Sequence, residues 1–172
     1  MTDADIGRAL ADYERTIATT PGADAAWTAL QTLARALIGA RLFTVMTVDM
    51  KKGVAARVHT SDPVAYPISG TKPIHYNSWF DIVHRERRPF VANTIAGIAE
   101  VFLDHELIWS LGCGSVVNLP IEVGGAMVGT VNCLDSEHHY DEQRIARLVH
   151  LLLPAKLSYL LAEGLGAVPT ER

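Results

Sequence analysis

The strongest constraint on the fold is a hairpin signal in the second half of the chain. Residues 114–123 (GSVVNLPIEV) and residues 127–134 (MVGTVNCL) are both rich in β-branched and apolar side chains. Gly124 and Gly125 lie between them, and paired glycines at this position favour a tight turn that joins antiparallel strands. The sequence therefore predicts an antiparallel sheet built around this hairpin.

A second hairpin is predicted nearer the N-terminus. Leu42–Asp49 and Val54–Thr60 have the composition of strands, and Lys51-Lys52-Gly53 between them is a turn signal. Residues 61–73 hold three prolines and a glycine, so we expect a loop. Phe90-Val91-Ala92 is predicted as a short edge strand, because Pro89 is poorly tolerated next to a central one.

Helices are predicted at both ends of the chain and between the two hairpins. Apolar residues recur at helical spacing in two N-terminal segments: Ile6, Leu10, Tyr13 and Ile17, then Trp27, Leu30, Leu33, Ala34, Leu37 and Ile38. Further helices are expected at 78–87 with Ser78 as N-cap, at 97–111 closed by Gly112, and at 140–163, where Pro154 should kink or split the helix. This order predicts an α+β domain with an antiparallel sheet.

Composition narrows the classes of function. The chain has 172 residues, 49% of them apolar, a net charge of −4 and two cysteines. A mildly acidic chain does not favour binding to nucleic acid, and no apolar stretch has the length of a signal peptide core or a membrane helix. We therefore expect a cytoplasmic protein with reduced cysteines and with neither a membrane nor a nucleic-acid partner.

The hairpin and the segment after it resemble the C-terminal half of a GAF domain. The resemblance is carried by Val116-Val117-Asn118-Leu119-Pro120-Ile121, by Gly124-Gly125, by Met127-Val128-Gly129-Thr130-Val131-Asn132, and by Tyr140-Asp141-Glu142 before an apolar helix. It extends over residues 25–161. It implies a sheet with the N- and C-terminal helices on one face, and loops and short helices covering a small-molecule pocket on the other.

The same resemblance implies a domain division and a range of ligands. Residues 1–22 are expected to form an N-terminal helix and connector, residues 23–164 the GAF domain, and residues 165–172 a flexible tail. GAF domains bind cyclic nucleotides, bilins, haem, nitrate or amino acids, and many have no known ligand. No kinase, cyclase or DNA-binding segment remains in the chain, so a sensor of this kind is expected to act on a separate partner protein.

Strand alternation predicts which residues form the floor of the pocket. Successive strand residues point to opposite faces, so Val116, Asn118 and Pro120 share one face, and Val117, Leu119 and Ile121 share the more apolar face that suits the terminal helices. On the return strand, Thr130 and Asn132 share the face of Asn118, whereas Cys133 points to the helices. Either the two amides bind a ligand or they bond to the backbone of the covering loops.

The covering segments add candidate ligand-binding groups. Tyr76 and Trp79 lie in the loop and the predicted short helix, and His105, Glu106 and Trp109 are spaced to share one face of the next helix. Flat apolar rings with a few polar groups suit a pocket lid. Alternatively, the two tryptophans are ordinary core residues and the histidine is solvated.

The sequence gives less support to catalysis or metal binding than to the binding of a small molecule. Cys113 follows a helix, and the C-terminal end of a helix does not lower the pKa of a thiol. Among GAF proteins, the free methionine-R-sulfoxide reductases are enzymes. The resemblance would place their catalytic cysteine near Trp109 and their substrate-binding acidic residues near Val116, Asn132 and Leu134. This chain has neither a cysteine nor an acidic residue at those positions. Residues 135–139 (DSEHH) lack the spacing of a metal site. We predict no metal and no cofactor.

The sequence thus favours a small-molecule-binding sensory domain of signal transduction with an unidentified ligand. The alternative is an enzyme that uses the same pocket, with Cys113, His105 or Glu106 as the reactive groups. A homodimer is also expected, because the helices at the two ends carry more apolar surface than one sheet face can cover. The competing possibility is that the first helix folds back and covers that surface within one chain.

Overall fold

A computed structural model describes residues 1–68 and 70–164. The expected tail, residues 165–172, lies outside the described residues. Within them no helix is both long enough and apolar enough to cross a membrane.

In the part of the chain that the structure describes, the sheet has six strands, and every neighbouring pair is antiparallel. The strands are β1 Leu42–Asp49, β2 Val54–Thr60, β3 Thr71–Pro73, β4 Phe90–Ala92, β5 Ser115–Val123 and β6 Ala126–Asp135, in the spatial order β3-β2-β1-β6-β5-β4. Both hairpins and the edge position of β4 are confirmed. Only β3 differs from the prediction, because the last three residues of the expected loop pair with β2. A three-residue edge strand that ends in proline leaves no alternation to detect.

Among the described residues, seven helices surround the sheet: α1 Asp3–Thr19, α2 Ala23–Leu37, α3 Ser78–Phe80, α4 Ile95–Ala99, α5 His105–Ser110, α6 Glu142–Ala146 and α7 Val149–Gly164. A π-helical turn, Asp81–Arg85, continues directly from α3. Together the two elements form the helix that was expected at 78–87. Its N-cap is Asn77 rather than the expected Ser78, because the Asn77 side chain accepts a hydrogen bond from the Phe80 amide at 3.1 Å.

Two predicted helices are each divided in the structure. The helix expected at 97–111 is wrong as a single element: residues 100–104 separate α4 from α5. Side chains from elsewhere hold this interruption, since Asn77 donates to the Val101 carbonyl and the Tyr66 hydroxyl donates to the Asp104 carboxylate. The helix expected at 140–163 also divides, but between α6 and α7 rather than at Pro154.

Pro154 remains inside α7, and its carbonyl is the point at which α1 is attached to this helix. The Tyr13 hydroxyl of α1 donates a hydrogen bond of 2.7 Å to the Pro154 carbonyl and lies 2.8 Å from the Ser158 hydroxyl oxygen. A backbone carbonyl oxygen has two lone pairs, so the Pro154 carbonyl can accept this bond while it remains in the helix. This contact attaches α1 to α7 and covers part of the apolar surface of the terminal helices within one chain.

The two faces of the sheet pack against different layers, as strand alternation predicted. Apolar residues of β1, β5 and β6 pack against α1, α2 and α7: Phe43, Val45, Val117, Leu119, Ile121, Val131 and Cys133. On the opposite face, Leu42, Val116 and Leu134 pack against Tyr66, Ile98 and Ile108 of the covering segments. The fold therefore has three layers, with the sheet between the terminal helices and the cover.

Gly129 allows α7 to approach the sheet closely. A Cβ at this position would overlap the Met46 carbonyl oxygen and the Tyr159 hydroxyl. That hydroxyl donates a hydrogen bond of 2.5 Å to the Met46 carbonyl and is 3.3 Å from the Thr130 carbonyl. A side chain on β6 would separate α7 from the sheet at this point.

We therefore predict that Gly129→Ala lowers the free energy of unfolding by about 2–3 kcal/mol, the cost of overpacking a tight interior. Urea denaturation monitored by circular dichroism measures the change. Gly7→Ala is the matched control: it lies in α1 with open space around it, so alanine should leave stability unchanged or raise it by up to about 1 kcal/mol. Equal stabilities of Gly129→Ala and wild type would contradict this account of the packing.

Candidate functional site

A row of buried polar side chains crosses the covered face of the sheet. The strand register places Thr44 of β1 opposite Asn132 of β6, and Asn132 opposite Asn118 of β5. Asn118 Nδ2 donates to Asn132 Oδ1 at 2.7 Å, and Asn132 Nδ2 donates to Thr44 Oγ1 at 3.1 Å. All three residues are buried. We call these three residues the polar row.

Trp79 of α3 continues the polar row into the cover. Its indole Nε1 donates a hydrogen bond of 2.9 Å to Asn118 Oδ1. The indole ring makes edge contacts with His84 and Phe102, with ring centroids 5.5 and 6.0 Å away. The predicted convergence of Asn118, Asn132 and Trp79 on one side of the sheet is thus present.

The contacts of the two amides differ from one of the two interpretations offered by the sequence. Both amides bond to other side chains and not to the backbone of the covering loops. Thr130 lies two residues before Asn132 on β6, paired with Met46 and Pro120, and is buried next to the row. The role of Asn118, Asn132, Thr130 and Trp79 in binding a ligand remains a prediction.

The other predicted lid residues lie further out. Tyr76 is 68% exposed and contacts Phe80, and Trp109 is 54% exposed. Glu106 is exposed, and His105 Nδ1 is 3.1 Å from the Phe102 carbonyl oxygen, a local contact. The structure therefore does not group Trp109, His105 and Glu106 around the polar row.

One cluster in the cover was missed by sequence reasoning. Arg57 of β2 lies over the Tyr66 ring at 4.4 Å, and its Nη1 donates to the Pro67 carbonyl at 2.7 Å. Tyr66 in turn donates to Asp104 at the start of α5. Burial and the adjacent carboxylate raise the pKa of Tyr66, so the phenol stays protonated. This cluster ties covering segments to the sheet, and nothing in the sequence spacing brings them together.

A second missed residue is His84, whose ring lies among aromatic side chains. It is 6% exposed, and it stacks on Phe80 with ring centroids 4.6 Å apart. Its Nδ1 has no hydrogen-bond partner. Burial, together with the positive charge of Arg87, lowers the pKa of His84 to about 4, so the ring is neutral at pH 7. His84 begins the charged run 84–88 (HRERR), and a run of this kind is typical of a solvated helix end, so the sequence pattern does not indicate its burial.

Cys113 is the candidate nucleophile of the enzymatic alternative. Cys113 is fully buried, and its burial raises the thiol pKa to about 11, which disfavours the thiolate nucleophile. Residues 135–139 serve structural contacts instead: Glu137 accepts from the Ile95 amide, and His139 Nε2 lies 2.9 Å from the Ile38 carbonyl oxygen. Among the described residues no group of three or more His, Cys, Asp or Glu side chains is placed to hold a metal ion.

Two open cavities occur away from the polar row. One of about 320 Å³ lies between α1 and α2, and one of about 290 Å³ lies between β5, α6 and α7. Neither is lined by Asn118, Asn132 or Trp79. The polar row itself is covered by the indole of Trp79, so any ligand there has to displace covering side chains.

Solved structures share this arrangement of sheet, terminal helices and cover. The GAF domain from Acinetobacter phosphoenolpyruvate-protein phosphotransferase superposes with a TM-score of 0.73 at 10% identity, covering 98% of this chain and all of that one. The corresponding domain (ptsP) from Coxiella burnetii gives a TM-score of 0.69 at 16% identity over 97% of this chain and 100% of that one. The chain has the GAF fold.

An enzyme with the same fold is also among the similar structures. Free methionine-R-sulfoxide reductase from Neisseria meningitidis, solved with its substrate, gives a TM-score of 0.67 at 15% identity, over 96% of this chain and 95% of that one. No protein-family sequence model matches the chain, and no curated protein sequence does. At these identities the GAF structures establish the fold, and function has to be argued from this chain's own residues.

The buried histidine leads to a prediction about pH. A histidine pKa near 4 in the folded state and an ordinary value near 6.5 when unfolded mean that the unfolded chain binds more protons between these pH values. Stability should therefore fall as pH drops from about 6.5 to about 4, by an amount on the order of 2 kcal/mol from this residue. His84→Phe keeps a ring and removes the titration, so urea denaturation across this range should show a shallower loss. Parallel profiles for the variant and wild type would exclude this role of burial.

Proposed function

We propose that the protein is a cytoplasmic sensory domain that binds a small molecule over the polar row and passes the change on to a partner protein. The supporting observation is the polar row itself, Thr44, Asn132 and Asn118, which lies under a cover of short segments. The GAF domains that superpose on the chain include one from a two-component sensor histidine kinase of Bacillus halodurans. The two cysteines are buried and unpaired, which suits a reducing compartment.

The hydrogen bonds of the polar row add little to stability, which favours a role for these residues in binding a ligand. A buried hydrogen bond between side chains adds about 1 kcal/mol to stability, and replacing both partners with apolar groups of similar shape is often neutral. Val116 and Leu134, on the same face as the row, show that apolar residues are accommodated there. Three linked polar side chains are therefore not required to hold the cover, whereas a polar ligand requires donors and acceptors of this kind.

The structure offers less support for the enzymatic alternative. Its three candidate groups point to separate partners: Cys113 lies 4.0 Å from the Leu111 carbonyl, His105 contacts the Phe102 carbonyl, and Glu106 is exposed. Nucleophilic catalysis needs a nucleophile within reach of a base. We therefore propose binding without turnover, and with no cofactor or metal.

The first test identifies the ligand and measures its dependence on the row. Native mass spectrometry of the purified protein should show a bound small molecule, which isothermal titration calorimetry can then follow. Asn118→Leu and Asn132→Leu should each weaken its binding about tenfold, because each removes a buried hydrogen-bonding group. Gln143→Leu makes a similar change at an exposed position on α6 and should bind as wild type does. Unchanged affinity in both asparagine variants would overturn the assignment of the site.

We also propose that the protein forms a homodimer through α7. The first helix covers part of the terminal-helix surface, but a stripe on α7 remains exposed: Val149 (61%), Leu153 (75%), Leu157 (37%) and Leu160 (47%). These positions follow helical spacing and form one contiguous apolar face. A two-fold axis would bury the stripe against its copy.

The dimer is tested by a single charge on the stripe. Leu153→Glu should shift the protein toward monomer in light scattering at micromolar concentration, because a carboxylate would be buried in the interface. Val64→Glu is the matched control, since Val64 is also prominent on the surface but lies in the cover. A mass near 18.7 kDa for wild type would refute the dimer.

A further inference from the structure

We infer that Trp79 is a built-in occupant of the ligand site, and that the natural ligand is a small flat heteroaromatic molecule whose ring N–H replaces the indole N–H on Asn118. The inference rests on the proposed function and specifies its ligand. It follows from the hydrogen bonds of the polar row and from the way Trp79 is held.

The chemistry of tryptophan determines the direction of the row. An indole N–H can only donate, so the Asn118 atom that faces Trp79 has to be its oxygen. The Asn118 nitrogen then faces Asn132 and donates to its oxygen, and the Asn132 nitrogen donates to Thr44. The row therefore ends toward the cover in an acceptor. A molecule that supplies a donor takes the place of Trp79 without reorienting the row, whereas an acceptor there requires both amides to flip and the Thr44 hydroxyl to donate.

The surroundings of the indole select a flat ring. The rings of Phe102 and His84 are each in an edge-to-face arrangement with the indole, at interplanar angles of 65° and 62°. Edge contacts of this type suit a planar aromatic group rather than a branched aliphatic one. The site therefore combines the aromatic rings of Phe102 and His84 with one hydrogen-bond acceptor, Asn118 Oδ1, on the sheet.

One nearby polar atom is not satisfied by the indole. His84 is more than nine-tenths buried, its ring lies against Trp79, and its Nδ1 has no partner. The indole of Trp79 makes no hydrogen bond to it. A ligand with a second ring heteroatom could bond to this nitrogen and would gain an interaction that Trp79 lacks, which gives it an advantage in displacing the side chain.

Trp79 is held in a way that permits displacement. It lies at the start of the helical segment 78–85, and its side chain is only partly buried. The rings that it contacts, His84 and Phe102, do not belong to the apolar core under the terminal helices, so rotation of the indole leaves that core closed. One hydrogen bond and the two ring contacts have to be replaced by the incoming ligand.

The experiment removes the Trp79 side chain and adds indole in solution as a replacement for its ring. Trp79→Ala should bind indole, and calorimetry should show at least about tenfold weaker binding of 1-methylindole, which has the same ring without the N–H. In Trp79→Ala/Asn118→Leu the preference for indole should disappear. Trp109→Ala is the matched control, because it removes an exposed tryptophan from the same cover and should create no indole site.

Wild type should bind indole at least about tenfold more weakly than Trp79→Ala does, because its own indole occupies the site. Circular dichroism checks the folding of each variant, and Trp79→Leu, which retains apolar volume, is tested in the same way if the alanine variant is unfolded. Equal binding of indole and 1-methylindole by Trp79→Ala, or no binding of either, would overturn the inference.

The outcome can be separated from that of the proposed function. Indole replaces a side chain of the protein itself, so its binding does not depend on finding the natural ligand. Absence of any copurifying molecule counts against the proposed function and leaves the indole result unaffected. Conversely, a natural ligand without a ring N–H, bound through Asn118, would support the proposed function and overturn this inference.

Discussion

The rest of the structure depends on the close approach of α7 to the sheet at Gly129. Tyr159 reaches over this glycine to the Met46 carbonyl of β1, and its ring meets Trp27 of α2 edge-on, with centroids 5.0 Å apart. Through Tyr13, α1 is attached to the same helix at Pro154. Because one face of the sheet is closed by this helical layer, the opposite face is left for short covering segments.

The two faces consequently differ in chemistry. The helical side is a continuous apolar core, whereas the covered side contains Thr44, Asn118 and Asn132 as well as the Arg57–Tyr66–Asp104 cluster. The cover has its own apolar cluster around Ile98 and Ile108, which is smaller than the core under the terminal helices. Short segments with fewer buried contacts open at a lower free energy than a packed helical layer does. This difference between the two faces is the basis of the proposed binding site and of its inferred occupant.

Much of the fold could be predicted because its signals are local. Alternation in β5 and β6 correctly assigned Val117 and Cys133 to the helices and Asn118 and Asn132 to the covered face. The predictions that were wrong concern local structure that is determined by long-range contacts. The chain between α4 and α5 is held by Asn77 and Tyr66, and β3 exists only because β2 offers an edge. His84 has charged neighbours in the sequence, which are typical of a solvated helix end, yet its ring packs against Phe80 and Trp79.

The sequence by itself determined the antiparallel sheet, the side to which each strand residue points, and the amphipathic terminal helices, because these properties depend on a repeat of two or 3.6 residues along the chain. Only the tertiary structure decided which groups the buried amides bond to. Trp79 and Asn118 are 39 residues apart, and Asn132 and Thr44 are 88 residues apart. Hydrogen bonds over such separations depend on how the layers pack, and no local pattern in the sequence encodes them.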